Sequence, residues 1–386
     1  MKKNSSNKHK FFYCYTLISI IFLLFIISCG SVSLNNNVPV DVYVGGESFI
    51  STTNVPVAVY WKNGEMIPLS TKYWKENEKK PQYTIEMSRV SSIFVSSNEV
   101  YAGGYYKAYD LSHMNPYSVS MDDYAINVAC YWKNGKLVSL TYSKYGSEVN
   151  SIFVSGNDVY AGGYIHGKDA ALGGYWKNGK WVGLSNAKYG SMVRSIFVSS
   201  NDVYVSGWIS NSNGIVIPCY WKNGEMFALS FISEKKTASA YSIFVSSNDV
   251  YVCGYSRNNL GVDTACYWKN GELIPLLPFD SKYNSIGASI FVSRNDVYVG
   301  GYIKNSYRFP TVAGYWKNGK WVELPSIVNE SISKVTSIFV FGNDVYVGGY
   351  SNEMPGYWKN DEWVGLSNSK RGEVSSIIVV PRPTGQ

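Results

Sequence analysis

Residues that could carry catalysis are scarce in this sequence. The 386 residues include only three histidines, of which His113 and His166 lie beyond residue 30. No GxSxG, HExxH, GxGxxG or P-loop pattern is present, so no nucleophile with its base, zinc site or phosphate loop can be recognised. No segment has the oxygen-rich spacing of a calcium loop either. We therefore predict no catalytic residue, no cofactor and no metal site.

Carboxylates leave one enzymatic alternative open. Cleavage of a glycosidic bond needs two of them at a defined separation, which the sequence alone does not set. The candidates are Asp110, Asp122, Asp123 and Asp169, with Glu47 or Asp263 as the second member of the pair. A glycoside hydrolase therefore stays as an alternative to a binding protein.

The first 28 residues have the features of an export signal. Residues 1–10 carry four lysines and no acid, and residues 11–27 form an uncharged, mostly apolar run. Cys29 follows the small residue Ser28, an arrangement that resembles a bacterial lipobox. The resemblance implies cleavage before Cys29 and acylation of its thiol, which anchors the chain to a membrane. An uncleaved transmembrane anchor and plain secretion are the alternatives.

The expected location and the net charge of the chain limit the kinds of partner that it could bind. Gly30 is not the Asp that follows the acylated cysteine of some lipoproteins retained at the inner membrane, which favours the outer membrane or cell surface within a bacterial envelope. Residues 1–28 hold four lysines and no acid, so their removal lowers the formal charge of +7 to +3. An exported chain with this charge is not expected to bind nucleic acid.

One pattern recurs seven times after residue 40. The typical copy has a Ser-Ile-Phe-Val run, an Asp-Val-Tyr or Glu-Val-Tyr run followed by Gly-Gly, and a Tyr-Trp-Lys-Asn motif. The tryptophans of the last motif are Trp61, Trp132, Trp176, Trp221, Trp268, Trp316 and Trp358. Most are separated by 44 to 48 residues, a period typical of solenoids and propellers.

Each repeat contains four strand-like runs and no helical period. The Asn-Gly pair after Tyr-Trp-Lys is the strongest short hairpin signal, and the seventh repeat has Asn360-Asp361 in its place. Four antiparallel strands per repeat predict an all-β, seven-bladed β-propeller. The first repeat lacks its Ser-Ile-Phe-Val strand, and a lone run at residues 376–380 supplies it. We therefore predict that this C-terminal strand joins the N-terminal blade and closes the ring.

These strands define the predicted domains. Residues 1–28 are the signal peptide, 29–39 a lipidated tether, 40–380 the propeller and 381–386 a tail. The repeats comprise residues 40–91 with 376–380, 92–150, 151–194, 195–241, 242–288, 289–336 and 337–375. A monomeric propeller is expected.

The repeat resembles the kelch repeat. The clearest unit runs from Ser289 to Pro325, with SIFVSRNDVYVGGY followed by YWKNGKWVELP. Bacterial lipoproteins with tandem DVYVGGY and YWKNG motifs are also similar. The resemblance covers residues 40–380 and implies a propeller, but propellers host many unrelated activities, so it implies no particular function.

Residues that recur in all seven repeats are interpreted as structural. The Tyr-Trp pairs are expected to pack between blades. The Asp before each Val-Tyr is expected to bind turn amides, as in an Asx turn. Cys253 and Cys266 lie on neighbouring predicted strands, so a disulfide and a pair of buried thiols are both possible after export.

The variable residues are expected on one face of the ring. The first and third connections of each repeat are tight turns, and the second connection and the crossover to the next repeat are long, so we call the two sides the regular face and the loop face. The candidate binding residues on the loop face are Lys72, Tyr73, Trp74, Tyr109, His113, Tyr117, Lys144, Tyr145, Lys188, Tyr189, Trp208, Lys282 and Tyr283. The Lys-Tyr pairs either form a ligand-binding ring of cations and aromatics or only cap their loops.

The sequence favours a lipid-anchored propeller without catalytic activity. It is predicted to bind a protein partner, as a scaffold or interaction module, through the loop face. A glycan-binding, lectin-like propeller is the alternative, because cations beside aromatic rings also suit acidic saccharides.

Overall fold

The computed structural model describes eleven segments of the chain. They are residues 38–49, 55–69, 87–109, 125–140, 143–184, 188–233, 237–278, 282–304, 311–328, 332–366 and 371–383. These segments form β-strands and connections, and none of their residues belongs to a helix. The described part of the chain therefore has no helix that could cross a membrane.

The strands form seven antiparallel sheets of four, which are the blades. The first strands are β4 (Ser88–Ser96), β8 (Ser147–Ser155), β12 (Ser191–Ser199), β16 (Ala238–Ser246), β20 (Asn284–Ser293), β24 (Ser333–Phe341) and β28 (Gly372–Pro381). The second strands are β1 (Val40–Phe49), β5 (Glu99–Tyr109), β9 (Asp158–His166), β13 (Asp202–Ser210), β17 (Asp249–Arg257), β21 (Asp296–Lys304) and β25 (Asp344–Ser351).

The two remaining strands of each blade form the Asn-Gly hairpins. The third strands are β2 (Pro56–Lys62), β6 (Ala125–Lys133), β10 (Ala171–Lys177), β14 (Val216–Lys222), β18 (Asp263–Lys269), β22 (Thr311–Lys317) and β26 (Met354–Lys359). The fourth strands are β3 (Glu65–Pro68), β7 (Lys136–Ser139), β11 (Lys180–Gly183), β15 (Glu225–Ala228), β19 (Glu272–Pro275), β23 (Lys320–Glu323) and β27 (Glu362–Gly365).

The ring closes through the C-terminal strand, as predicted. Strand β28 pairs with β1 from Val40↔Pro381 to Ser48↔Gly372, and the first blade has the order β28-β1-β2-β3. We call this blade 1 and number the others in chain order, from blade 2 (β4–β7) to blade 7 (β24–β27). First strands of successive blades contact each other all round the ring, including β28 with β4. They are the innermost strands and surround the axis.

The hairpin between the third and fourth strands turns as its sequence predicts. A type I′ turn needs positive φ at both central residues, and Asn63 and Gly64 have φ of 51° and 85°. Asn360 and Asp361, which replace Asn-Gly in blade 7, adopt the same conformation at 47° and 71°. Asn and Asp tolerate this region because their short polar side chains can bind locally.

The repeated tryptophans form the core between blades, which confirms their structural interpretation. All seven Tyr-Trp-Lys-Asn tryptophans have 0–1% of their surface exposed. Trp132 lies opposite Leu137 and Tyr131 opposite Val138, in the predicted register. Trp221 packs in one cluster with Val193 and Ile196 of its own blade and with residues of the next. The aromatic excess of the sequence is thus mainly packing.

The repeated acidic residues do bind at the regular face, but to side chains. In blade 4, Asn223 Nδ2 donates to Asp202 Oδ1 at 2.7 Å, and Lys222 Nζ lies 2.9 Å from Asp202 Oδ2. Asn223 Oδ1 accepts from the backbone N–H of Val203 at 2.9 Å. The acid–lysine ion pair recurs in all seven blades. The expectation of Asx-type bonds to turn amides is therefore corrected, because the Lys and Asn of the neighbouring hairpin reach the carboxylate.

The cysteines of the described residues are free thiols. Cys130, Cys219, Cys253 and Cys266 are all buried. Cys253 Sγ lies 3.7 Å from the carbonyl oxygen of Gly287 in the next blade. Burial raises the pKa of all four thiols. Of the two interpretations for Cys253 and Cys266, the structure has the buried thiols.

Candidate functional site

A β-bulge in each innermost strand leaves one residue per blade without a partner across the strands. The pairing of β12 with β13 shifts between Val193 and Ser195, so Arg194 has no partner across the strands. The equivalent residues are Ser91, Asn150, Arg194, Tyr241, Ala288, Thr336 and Ser375. They are at least partly exposed, whereas the residue before each of them is buried. Bulges commonly re-aim a side chain next to a binding site.

We call the opening that these bulged residues surround the axial mouth. It lies towards the loop face, because the innermost strands begin there and run to the tight turns of the regular face. Two residues before each bulge, the same strands carry Arg89, Glu148, Met192, Ser239, Ile286, Lys334 and Glu373. The two sets differ from blade to blade in charge, size and polarity, in strands that are otherwise nearly identical.

A second ring of side chains borders the axial mouth. It comes from the second strands, at the residue after Gly-Gly, and comprises Glu47, Tyr105, Tyr164, Trp208, Tyr255, Tyr302 and Tyr350. Each pairs across the strands with a variable residue of its own blade, for example Tyr105 with Arg89 and Trp208 with Met192. Six aromatic rings therefore stand beside the variable positions, and Tyr241 adds a seventh, 6.0 Å from the ring of Tyr255.

Glu47 is the exception in the aromatic series, and Arg89 explains it. Glu47 is buried, with Oε2 3.7 Å from Arg89 Nε of the next blade. Arg89 Nη2 also donates to Glu373 Oε2 at 2.6 Å. Burial raises the pKa of Glu47, Arg89 opposes that rise, and Glu373 adds to it. The carboxylate stands where a cation of the neighbouring blade enters the mouth.

Two more charges at the mouth have partners, and one does not. Glu148 Oε1 accepts from Asn127 Nδ2 at 2.7 Å. Lys334 Nζ lies 4.9 Å from the centre of the Tyr302 ring. Arg194 is exposed and forms no hydrogen bond or ion pair within the described part of the chain. It is the available cation among the bulged residues.

A ring of phenylalanines narrows the channel beneath the mouth. It lies three residues beyond the bulges on the same strands, at Phe94, Phe153, Phe197, Phe244, Phe291 and Phe339. Successive rings have centres 4.7–5.0 Å apart. Ile378 holds the seventh place and packs with Phe94 and Phe339. The innermost strands therefore carry an apolar ring three residues beyond the variable bulged residues of the mouth.

Some of the predicted binding residues lie in crossovers of the loop face. Lys144 and Tyr145 lie in the crossover to blade 3, and Lys188 and Tyr189 lie in the crossover to blade 4. All four are exposed, and each Lys Nζ is 5.0–5.2 Å from the ring centre of the Tyr that follows it. Trp208 belongs to the ring that borders the mouth.

The remaining predicted residues are elsewhere. Lys282 is exposed, whereas Tyr283 packs against the core of blades 5 and 6, as a loop cap would. Tyr109 ends strand β5. Lys72, Tyr73, Trp74, His113, Tyr117 and the lipidation site Cys29 lie outside the described residues.

The carboxylates considered for catalysis belong to separate blades. Glu47, Asp169 and Asp263 are in blades 1, 3 and 5, and Asp263 accepts from Arg257 at 2.7 and 3.2 Å. Asp110, Asp122 and Asp123 are outside the described residues. Within the described segments, no three His, Cys, Asp or Glu residues are close enough to hold a metal ion.

Sequence reasoning missed the variable residues of the innermost strands. Arg89, Glu148, Arg194 and Tyr241 precede the Ser-Ile-Phe-Val run, where the repeats differ and the pattern suggests a crossover. The signal that could have found them is their variability among constant motif residues, because a position that varies inside a regular repeat does not take part in the packing that all repeats share. Alignment of the seven repeats would have shown it.

Comparison with known proteins adds similarity of fold. No family model and no curated protein matches the chain. The β-propeller domain of the Trilobed protease from Pyrococcus furiosus, described as having an open velcro topology, is 10% identical with a TM-score of 0.45, over 86% of this chain and 95% of that chain.

Two further solved structures are similar. A mutant of AofleA from Arthrobotrys oligospora, in which three arginines are replaced by alanine, is 10% identical with a TM-score of 0.39, over 75% of this chain and 88% of that chain. The SapL1 lectin in complex with alpha methyl fucoside is 13% identical with a TM-score of 0.40, over 71% of this chain and 93% of that chain.

Proposed function

We propose that this chain is an exported, lipid-anchored propeller that binds another protein through its loop face, without catalysing a reaction. The observation that carries the proposal is the placement of exposed apolar side chains. Among the large apolar residues exposed in the described segments, all but Val182 lie at the loop face. Solvent-exposed apolar groups that concentrate on one face are typical of protein-interaction surfaces.

Aliphatic residues dominate one sector of that face. Leu260, Leu277 and Val328 are 77%, 65% and 48% exposed in connections of blades 5 to 7, and Met354, which begins β26 of blade 7, is 39% exposed. Ile327 and Ile332, in the crossover to blade 7, are 38% and 40% exposed. Aliphatic side chains offer a saccharide neither hydrogen bonds nor an aromatic ring, whereas they fit the apolar centre of a protein interface. We call this group the apolar sector.

The lipid anchor is supported by the position at which the chain enters the ring. Val40 begins β1 at the regular face, and β28 ends beside it, where the backbone N–H of Arg382 donates to the carbonyl of Pro39 at 2.8 Å. A lipid on Cys29 would therefore hold the regular face towards the membrane. The apolar sector and the axial mouth would face away from it, open to a partner.

The experiment compares proteins that co-purify with the full-length chain after brief crosslinking in its native cells. Leu277→Ser combined with Val328→Ser removes two exposed aliphatic side chains of the apolar sector. Burial of such a side chain contributes about 1.5–3 kcal/mol, so the partner should bind at least about tenfold more weakly. Its recovery should fall accordingly.

Val182→Ser is the matched control, because Val182 is 38% exposed but lies on the outer strand β11. A partner that is recovered with the wild type and with this control, but lost with the double variant, supports the proposal. Equal recovery with all three proteins would contradict it. So would a glycan array on which the wild type and the double variant bind the same saccharide, without any protein partner.

A further inference from the structure

The axial mouth contains one cation, Arg194, that forms no hydrogen bond, ion pair or ring contact with the described residues. Arg89 is shared by Glu47 and Glu373, and Lys334 stacks on Tyr302. Arg194 has no such partner among the described residues and projects from a bulge of the innermost strand β12. A guanidinium offers five donors in a planar fork, which suits a carboxylate. Within the described segments the donors of this guanidinium form no hydrogen bond or ion pair, although the carboxylate of Glu148 acts on the same Tyr164 as Arg194 does.

The charge of Arg194 reaches one tyrosine of each neighbouring blade. Burial, followed by the charge of Glu148, raises the pKa of Tyr164 in blade 3, and the positive charge of Arg194 opposes that rise. Burial and then Tyr255 raise the pKa of Tyr241 in blade 5 to about 12, again opposed by Arg194. Tyr164 already donates to Glu148, so Tyr241 is the phenol near Arg194 that can also donate to an anion.

The sector around Arg194 carries further cations towards its rim. Lys144 and Lys188 are exposed in the crossovers that lead into blades 3 and 4. A Cβ at Gly190, which follows Lys188 and Tyr189, would lie 3.9 Å from the Trp208 ring, so this crossover lies against the border of the mouth. The cations therefore extend from the crossovers to the axis on one side of the loop face. The apolar sector begins at the next blade.

We propose that Arg194 receives a carboxylate from an acidic segment of the protein partner, and that this segment lies across blades 3 and 4 while apolar residues of the same partner cover blades 5 to 7. This proposal rests on the proposed function and specifies the chemistry of the partner. A partner of this kind carries Asp or Glu side chains next to an apolar patch. Complementary charge at the mouth fixes the register of the complex.

The test measures binding of fluorescent poly-L-glutamate to the full chain in detergent. A charged hydrogen bond contributes about 1.5–3 kcal/mol, so Arg194→Gln should weaken binding about tenfold to a hundredfold. Arg194→Lys keeps the charge without the planar fork and should give an intermediate loss. Binding should also weaken as salt is raised.

Arg294→Gln is the matched control, because Arg294 is an exposed arginine in a tight turn of the regular face. It should bind poly-L-glutamate as the wild type does. Thermal melting of each variant checks the fold, and Arg194→Gln should melt with the wild type because the Arg194 side chain is exposed. Equal binding by Arg194→Gln, or no binding by the wild type, would overturn the proposal.

Further probes separate the possible sources of the anion. Polygalacturonate presents carboxylates on a saccharide, and inorganic phosphate presents an anion without a chain. Binding of either probe in preference to poly-L-glutamate would overturn the assignment to a protein segment. If Arg194→Gln still recovers the protein partner that the apolar-sector variant loses, this inference fails while the proposed function stands. If no protein partner is recovered with the wild type, the proposed function itself fails.

Discussion

The second glycine of each Gly-Gly pair occupies a position that cannot carry a side chain. A Cβ at Gly254 would overlap the carbonyl oxygen of Ser239, because the bulge in β16 brings that carbonyl against β17. The same overlap occurs in every blade, at Gly46, Gly104, Gly163, Gly207, Gly254, Gly301 and Gly349. The first glycine is less constrained, since Ser206 and Cys253 replace it in two blades. The second glycine is therefore the requirement of the bulge.

Gly254→Ala tests this requirement. The neighbouring atoms are backbone and cannot move aside as a side chain does, so the free energy of unfolding should fall by about 3 kcal/mol. Gly365→Ala is the control, because the nearest atom to a Cβ there is Trp363 Nε1 at 3.6 Å. Its effect should stay within about 0.5 kcal/mol. Urea unfolding of the two variants measures both values, and equal stabilities would contradict this account of the bulge.

The role of a residue can be predicted from the sequence where burial alone decides it, but not where its partners depend on how distant strands pair. The Tyr-Trp pairs are recognisable as packing because burial alone requires an apolar residue at the same place in seven copies. The acids before Val-Tyr are also recognisable as structural, but the local sequence suggests turn amides as the partners of Asp202. Its actual partners, Lys222 and Asn223, are about twenty residues away and are brought near only by the pairing of the second and third strands.

Third and fourth strands of a blade have matched side chains. Where the fourth strand carries Trp181, Trp321 or Trp363, the third carries Gly174, Gly314 or Gly356. A Cβ at each of these glycines would overlap that tryptophan ring. In the other blades the pairs are Val59 with Met66, Cys130 with Leu137, Cys219 with Met226 and Cys266 with Leu273. The larger the residue on the fourth strand, the smaller is its partner on the third strand.

A double-mutant cycle on Gly314 and Trp321 tests this matching. Gly314→Cys alone should lower the stability of the fold by about 1–3 kcal/mol, because the side chain meets the indole. Trp321→Leu alone should also destabilise it, since it leaves a cavity. The double variant recreates the pair Cys266 and Leu273 of blade 5, so its loss should be smaller than the sum by at least about 1 kcal/mol. Additive losses in thermal or urea unfolding would contradict the matching.

Successive blades match in the same way. Gly45, Gly103, Gly162, Gly300 and Gly348 each face a valine of the next blade. Two blades have a larger residue in place of this glycine, and the valine of the next blade is then replaced by a smaller residue. Cys253 faces Gly287, and the residue opposite Ser206 is Ala240. Each blade is therefore fitted to its successor, which explains why a regular repeat still carries substitutions in its core.

The sequence predicts the elements well but places the start of each innermost strand too late. Asn-Gly hairpins follow from local turn chemistry, whereas the expected end of the second strands at Gly-Gly is wrong, since β9 continues past Gly163 to His166. Strand β12 begins at Ser191, ahead of the Ser195 at which its motif begins. The bulge at Arg194 breaks the alternation of buried and exposed residues, so the preceding residues lack a strand period. The candidate site lies in this unpredicted stretch.

At the scale of the whole molecule, the closed ring has two faces that differ in their residues. Both ends of the propeller are joined at the regular face, where Arg382 Nε donates to Asp41 Oδ1 at 2.9 Å. The seven acid–lysine pairs on that face are equivalent in all blades. The loop face carries the axial mouth, the cations of blades 3 and 4 and the apolar sector. A binding protein anchored by its N-terminus should therefore present the loop face outward.

Cysteine labelling on vesicles tests this orientation. Residues 29–39 can span at most about 40 Å, and the nine-residue strand β12 already accounts for about 30 Å between the faces, so the tether is too short to turn the loop face to the bilayer readily.

Asn295→Cys marks the regular face and Leu277→Cys the loop face, and the native thiols of the ring are buried and should not react. With a bulky maleimide polymer, the lipidated protein in vesicles should label severalfold more slowly at residue 295 than it does in detergent, and equally fast at residue 277. Cys29→Ala should abolish membrane binding and the difference between the two conditions. Slower labelling at residue 277 instead would reverse the orientation, and membrane binding by Cys29→Ala would refute the lipid anchor.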